Sequence, residues 1–184
     1  MAQVSTTVQT RSRRQAGLTA LYLGLFATVW FSVPSAGGLL RTLFVVASVA
    51  ALLTAIAGFV VVARAGRAGP AGRDRAAHRR YLLIVVAEFA SAGIGAVLLS
   101  AADRPEYVPV LVATVVGVHF FPLVHVLHEP HLRLLGVVVC AVALAGLITG
   151  LTTGVAAGLV AATGTGLALL GYAVTTLAGS LRRG

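Results

Sequence analysis

Residues 40–63 have the sequence LRTLFVVASVAALLTAIAGFVVVA, a stretch of 24 residues in which Arg41 is the only charged residue. As a helix this stretch is about 36 Å long, at 1.5 Å per residue, which is enough to cross the roughly 30 Å hydrocarbon core of a bilayer. A core helix of a soluble protein would carry charged residues along one face, and this stretch does not. It therefore predicts a transmembrane helix.

Five further apolar runs of similar length lie on either side of this one. Together the predicted spans cover residues 16–35, 40–63, 81–101, 107–127, 132–149 and 154–178. Polar tails flank them at 1–15 and 179–184. The pattern predicts an all-α polytopic membrane protein, a six-transmembrane-helix bundle that forms one domain over 16–178.

The composition favours the same class over soluble alternatives. Of the 184 residues, 58% are hydrophobic and 10% are charged, whereas about 25% are charged in soluble domains. The sequence contains no Walker A, GxSxG or dinucleotide-binding pattern, so no enzyme class is indicated. The formal net charge of +9 would indicate nucleic acid in a soluble protein. Here the positions of the arginines explain the charge, and no nucleic-acid partner is predicted.

Arginine residues are distributed unequally between the two ends of the predicted spans. Twelve of the fourteen lie in the segments 1–15, 64–80, 128–133 and 179–184, which share one side of the membrane in a six-span protein. The other side holds only Arg41 and Arg104. Because arginine-rich short loops stay in the cytoplasm, both termini are predicted to be cytoplasmic. The protein is then a multi-pass protein of the plasma (inner) membrane.

The connection at 64–80 is the longest between the predicted spans and also the most basic. An arginine close to an anionic membrane surface gains about 1 kcal/mol of binding free energy. We therefore expect anionic lipid headgroups to be contacted by the last four arginines of this connection, which are Arg73, Arg75, Arg79 and Arg80.

Small residues recur every four positions in the sixth span, at Gly154, Gly158, Ala162 and Gly166. Such a stripe allows helix backbones to approach closely in lipid, so it predicts packing against a neighbouring helix. The alternative is an interface with a second copy of the chain or with another membrane protein.

Few ionisable residues lie inside the predicted spans. Glu88 is the only acidic residue well inside one, and His119 is the only histidine in such a position. A charged group at that depth costs about 2.5–3.5 kcal/mol on insertion scales, so these residues are functional candidates. Glu88 falls between His119 and His125 in depth, and the short turn between spans three and four makes these spans neighbours. We therefore expect Glu88 to contact one of the two histidines.

Three roles for this group remain open. A carboxylate beside an imidazole is suited to a proton or ion relay, because the proton affinities of both groups can be adjusted towards neutral pH. The same contact can be purely structural. The third alternative is a metal site, since imidazole is a good ligand for zinc or iron. Its candidate ligands surround a proline at the end of span four, at His125, His128 and His131. No cofactor other than such a metal is predicted.

The sequence is compatible with three classes of function. The leading hypothesis is a small permease or channel-like protein, or an accessory subunit of a membrane transport complex. The alternative is a membrane-embedded enzyme or metal-binding protein that uses Glu88 with His119 or His125. The third class is a structural partner of other membrane proteins, which would bind through its small-residue stripes.

Overall fold

A computed structural model describes residues 2–35, 37–65, 75–127 and 131–182. Within these ranges the regular secondary structure is helical throughout. It comprises α1 (Ala2–Ser32), α2 (Gly38–Arg64), α3 (Arg75–Ala101), a 3-10 turn (Pro105–Tyr107), α4 (Val108–Leu127), α5 (His131–Thr152) and α6 (Ala157–Arg182). In the part of the chain that the structure describes, six helices are long and apolar enough to cross a membrane. The predicted all-α class with six potential spans is therefore confirmed.

The helices extend beyond several of the predicted limits. Helix α1 begins at Ala2, so the segment expected to be a polar tail is part of the helix. Helix α3 begins at Arg75 instead of residue 81, and α6 covers Ala157–Arg182 instead of 154–178. Hydropathy marks where an apolar run ends. A helix that is already nucleated continues past that point, because each further residue adds one backbone hydrogen bond.

The helices pack as two compact units. The first unit comprises Met1–Ser32, Ala36–Ala71 and Leu169–Gly184, and so contains α1, α2 and the second part of α6. The second comprises Val33–Ser35 and Gly72–Ala168, and so contains α3, α4, α5 and the first part of α6.

In the first unit, α1 and α2 form an antiparallel hairpin whose backbones touch. Gly17 lies against Gly58, and Gly24 lies against Ala51 and Ala55. A β carbon added to Gly58 would lie 2.6 Å from the carbonyl oxygen of Gly17. The absence of side chains at these glycines is therefore what allows the two helices to approach so closely.

In the second unit, small residues likewise determine the helix contacts. Gly117 of α4 lies against Gly136 and Cys140 of α5. Farther along α5, Gly146 lies against Ala157 and Ala161 of α6. These contacts place α4, α5 and the first part of α6 side by side.

Helix α3 is joined to α4 by a tight turn. The amide of Arg104 donates to the carbonyl of Leu99, and the amide of Asp103 donates to the carbonyl of Ser100. Asp103 has φ of 56°, a left-handed conformation that aspartate tolerates better than most residues. These features form a Schellman motif, which ends α3 and reverses the chain direction. Helices α3 and α4 are consequently antiparallel neighbours, as the short connection predicts.

Candidate functional site

The candidate site lies where α3 faces α4. Gly95 of α3 packs against the side chain of Leu111. Glu88, about two turns earlier on the same face of α3, meets His119, which is about two turns later on α4. The antiparallel register set by the turn thus brings the carboxylate and the imidazole to the same level.

The two side chains form a close and mostly buried pair. The Nδ1 atom of His119 lies 3.0 Å from the Oε2 atom of Glu88. The exposed fraction of the side chain is 11% for His119 and 18% for Glu88. In the apolar segments Leu82–Ala101 and Pro105–Val124, Glu88 is roughly 9 Å from one end and His119 roughly 8 Å from the same end, at 1.5 Å per residue. The pair is therefore inside the apolar length of both helices.

The contact has the distance of an ion pair but not the alignment of a hydrogen bond. Nδ1 of His119 is buried and has no partner among the described residues that satisfies hydrogen-bond geometry, although Oε2 is only 3.0 Å away. Coulomb attraction depends on distance alone, whereas an N–H···O bond weakens steeply as it bends. The two atoms are close enough for a hydrogen bond, and only their alignment departs from hydrogen-bond geometry.

The surroundings of the pair are apolar. Glu88 is the only ionisable residue of the segment 82–101, and the ring of Phe120 lies edge-on to that of His119 at a centroid distance of 6.2 Å. The other ion pair of the described residues, Arg104–Glu106, is exposed and has a longer distance of 3.8 Å. Glu88 and His119 thus form an isolated polar contact between two apolar helices.

The structure describes the residues of the metal hypothesis only in part. His131 is exposed at the first position of α5. His128 and the side chain of His125 lie outside the described residues. In the described part of the chain, no three side chains of histidine, cysteine, aspartate or glutamate form a metal-binding group. The metal site remains a prediction.

Three of the four arginines expected to contact lipid belong to helix α3 rather than to a loop. Arg75, Arg79 and Arg80 lie in its first two turns. The side chain of Arg79 is exposed, whereas those of Arg75 and Arg80 are outside the described part. Arg73 lies in the segment that is not described.

The glycines of the sixth span differ in their surroundings. A β carbon at Gly158 would lie 3.0 Å from the Cγ atom of Pro109 in α4, so Gly158 faces another helix. Gly166 is buried. Gly154 lies in the turn before α6, and a β carbon there would have no atom within 4 Å. The packed stripe therefore does not include Gly154, because α6 starts three residues later, at Ala157.

Thr165 of α6 is a buried polar residue that the sequence analysis does not identify. Its side chain is fully buried, and its Oγ1 atom has no hydrogen-bond partner among the described residues. Several other threonine hydroxyls donate to a carbonyl of their own helix, as Thr149 does to Ala145 at 2.9 Å. The signal in the sequence is a hydroxyl between two glycines, Gly164 and Gly166, within a helix of small residues.

Comparison with known proteins adds no functional assignment, since no family model, curated protein or solved structure matches the chain.

Proposed function

We propose that this chain is an integral protein of the plasma membrane in which the Glu88–His119 pair binds and transfers protons, as part of a small permease or channel-like protein. The observation that carries the proposal is the 3.0 Å contact between a carboxylate and an imidazole inside the apolar length of α3 and α4. Ionisable groups at such depth are costly to insert, and they commonly mark proton and ion pathways.

Membrane insertion is supported by the six long apolar helices and by the large apolar side chains on their surfaces. Helix α3 is the clearest case, because no residue of its apolar segment 82–101 is buried. Phe89 and Val97, for example, are 65% and 68% exposed. A helix that is apolar on all sides is typical of a membrane span, where its surface faces hydrocarbon. The orientation with both termini in the cytoplasm follows from the arginine distribution.

The chemistry of the pair suits proton transfer better than the binding of a larger ion. Each group can hold a proton, and at 3.0 Å one proton can pass between them without movement of either helix. The pair lies roughly 9 Å from the nearer end of the apolar segment. The pair therefore serves as a site that holds a proton. It forms only one part of a proton route across the membrane.

The proposal is tested by proton flux into liposomes that contain the purified protein and a trapped pH indicator. The unaltered protein should dissipate an imposed pH gradient, and Glu88→Gln should reduce the rate at least about tenfold, which corresponds to 1.4 kcal/mol in the barrier. The amide keeps the shape of the carboxylate and can still contact His119, but it cannot take up a proton at neutral pH. Glu106→Gln is the matched control, because it removes an exposed carboxylate from the same unit.

Two results would reject the relay. One is a protein without proton flux above that of empty liposomes. The other is a Glu88→Gln variant that conducts as fast as the parent and the Glu106→Gln control. In either case, with all proteins equally stable, the Glu88–His119 contact would be a structural tether between α3 and α4.

A further inference from the structure

The α1–α2 hairpin gathers arginines from two helices at one of its ends. Gly17 lies opposite Gly58, and Gly24 lies opposite Ala51. Continuing the same antiparallel register by less than two turns places Arg64 of α2 at the level of Arg11 on α1. Arg13 and Arg14 follow within one turn of Arg11. Among the residues whose side chains the structure describes, Arg13, Arg14 and Arg64 thus bring three positive charges to a single end of the hairpin.

The close approach of the two helices keeps these charges together. A β carbon at Gly17 would lie 2.9 Å from the carbonyl oxygen of Gly58 and 2.9 Å from Cγ2 of Val62. The tight contact therefore extends to within one turn of Arg64 and of Arg14. Because α1 and α2 are in contact there, the two helices cannot move apart independently. Arg14 and Arg64 are therefore held close to each other.

No acidic residue is available within the unit to neutralise them. All five acidic residues of the chain lie between positions 74 and 129, and none lies in the ranges that form the first unit. The side chains of Arg13 and Arg64 are exposed, and that of Arg14 is partly so. Both ion pairs of the described residues, Arg104–Glu106 and His119–Glu88, lie in the second unit. The arginine cluster thus has no carboxylate side chain of its own unit as a partner, and its exposed guanidinium groups are open to an anion from outside the unit.

We infer that Arg13, Arg14 and Arg64 bind the phosphate group of an anionic phospholipid. Guanidinium groups hold phosphate oxygens through paired, charge-assisted hydrogen bonds, and several arginines can share one phosphate. The cluster lies next to the apolar length of both helices, which spans Arg13–Ser32 and Gly38–Arg64. In a membrane this is the depth of the headgroup layer. The inference rests on the proposed insertion into a membrane, and it is independent of the proton relay.

Arg41 provides an internal comparison. It lies near the start of α2 and is exposed, and it is the only basic residue between positions 15 and 63. A single arginine attracts anionic lipid through its charge alone, whereas the cluster can hold one headgroup through several donors. Comparing lipid binding at the two ends of the hairpin therefore distinguishes a specific headgroup site from general electrostatic attraction.

The test is native mass spectrometry of the purified full-length protein, in detergent with added phosphatidylglycerol or phosphatidylcholine. The parent should bind phosphatidylglycerol preferentially. Arg14→Gln/Arg64→Gln should weaken that binding roughly a hundredfold, or about 2.8 kcal/mol, because each of the two guanidinium groups loses its charge-assisted hydrogen bonding to the phosphate. Arg41→Gln/Arg104→Gln removes the same charge elsewhere, and it should retain the parent's affinity.

Equal losses in both double variants would overturn the inference, because net charge would then explain the binding. Inorganic phosphate that displaces phosphatidylglycerol at equal concentration would overturn the assignment to lipid. Insertion has a separate readout, since a protein that alkaline carbonate releases from phosphatidylcholine vesicles is not integral. That result would reject membrane insertion itself, whatever the mass spectra show.

Discussion

Thr165 of α6 carries a buried hydroxyl for which the described residues offer no hydrogen-bond partner. Its side chain is fully buried, and a buried polar group left without a hydrogen bond costs about 1–3 kcal/mol. Thr165→Val keeps the shape of the side chain and removes the hydroxyl. We expect the variant to unfold at a higher temperature in detergent, with a gain of about 1 kcal/mol.

Thr149→Val is the control for this prediction, since the Thr149 hydroxyl donates to the Ala145 carbonyl at 2.9 Å and is already satisfied. Its substitution should bring no comparable gain in the free energy of unfolding. A lower melting temperature for Thr165→Val than for the parent would contradict the prediction. It would show that the hydroxyl has a partner, such as an ordered water, in the folded protein.

The depths of Glu88 and His119 along their helices can be predicted from the sequence, whereas the choice of His119 as the partner of Glu88 cannot. Their depths follow from counting residues along two helices, since each residue adds a fixed rise. Their contact also requires both side chains to point towards the boundary between α3 and α4. Leu111 and His119 lie eight residues apart on the face of α4 that meets α3. Gly117 and Phe120 lie on the face that meets α5.

At the scale of elements, the helical glycines differ in the distance between an added β carbon and the nearest atoms of neighbouring helices. At Gly58 it would meet backbone atoms of Gly17 and Leu21 at 2.6 Å, whereas at Gly171 nothing lies within 4 Å. Backbone atoms cannot move aside, so Gly58→Ala should separate α1 from α2 and destabilise the protein by about 1–3 kcal/mol. Gly171→Ala should be neutral or stabilising, by up to about 1 kcal/mol from helix propensity.

Thermal unfolding of both variants in the same detergent measures this difference. Gly158→Ala should fall between them, because its β carbon would meet the side chain of Pro109 at 3.0 Å rather than a backbone. If Gly58→Ala melted at the same temperature as Gly171→Ala, the α1–α2 contact would not limit stability. The close packing of the hairpin would then need a different explanation.

At the scale of the whole molecule, the orientation is open to a direct test. Ala71→Cys and Ala102→Cys place single thiols in connections on opposite sides of the proposed membrane. Each is introduced into a background in which Cys140, the only cysteine of the chain, is replaced by alanine. An impermeant thiol reagent applied to whole cells should label the cysteine at position 102 and not the one at 71, because arginine-rich connections remain cytoplasmic.

Labelling at position 71 without labelling at 102 would reverse the proposed orientation. Lysed cells supply the control, since both cysteines should then react. The same experiment bears on the lipid site, because Arg13, Arg14 and Arg64 belong to the side that is predicted to be cytoplasmic. Anionic lipids give the cytoplasmic leaflet its negative surface potential.

The sequence alone determined the helical class, the number of potential spans and the depths of Glu88 and His119. These properties are one-dimensional. An apolar run of about 20 residues is recognisable without knowledge of its neighbours, and depth along a helix is proportional to residue number. The helix ends were less well determined, because α1 and α3 continue into polar segments that hydropathy does not identify as helix.

Only the tertiary structure decided which faces of the helices meet. It separated Gly158, which faces Pro109, from Gly154, where an added β carbon would have no described atom within 4 Å, although both belong to one stripe in the sequence. It also placed Gly17 against Gly58 and turned His119 towards Glu88. Helices that are apolar on all sides have no preferred face when considered alone. The rotation of each helix about its axis is therefore set by close packing with its neighbours, which a linear pattern does not contain.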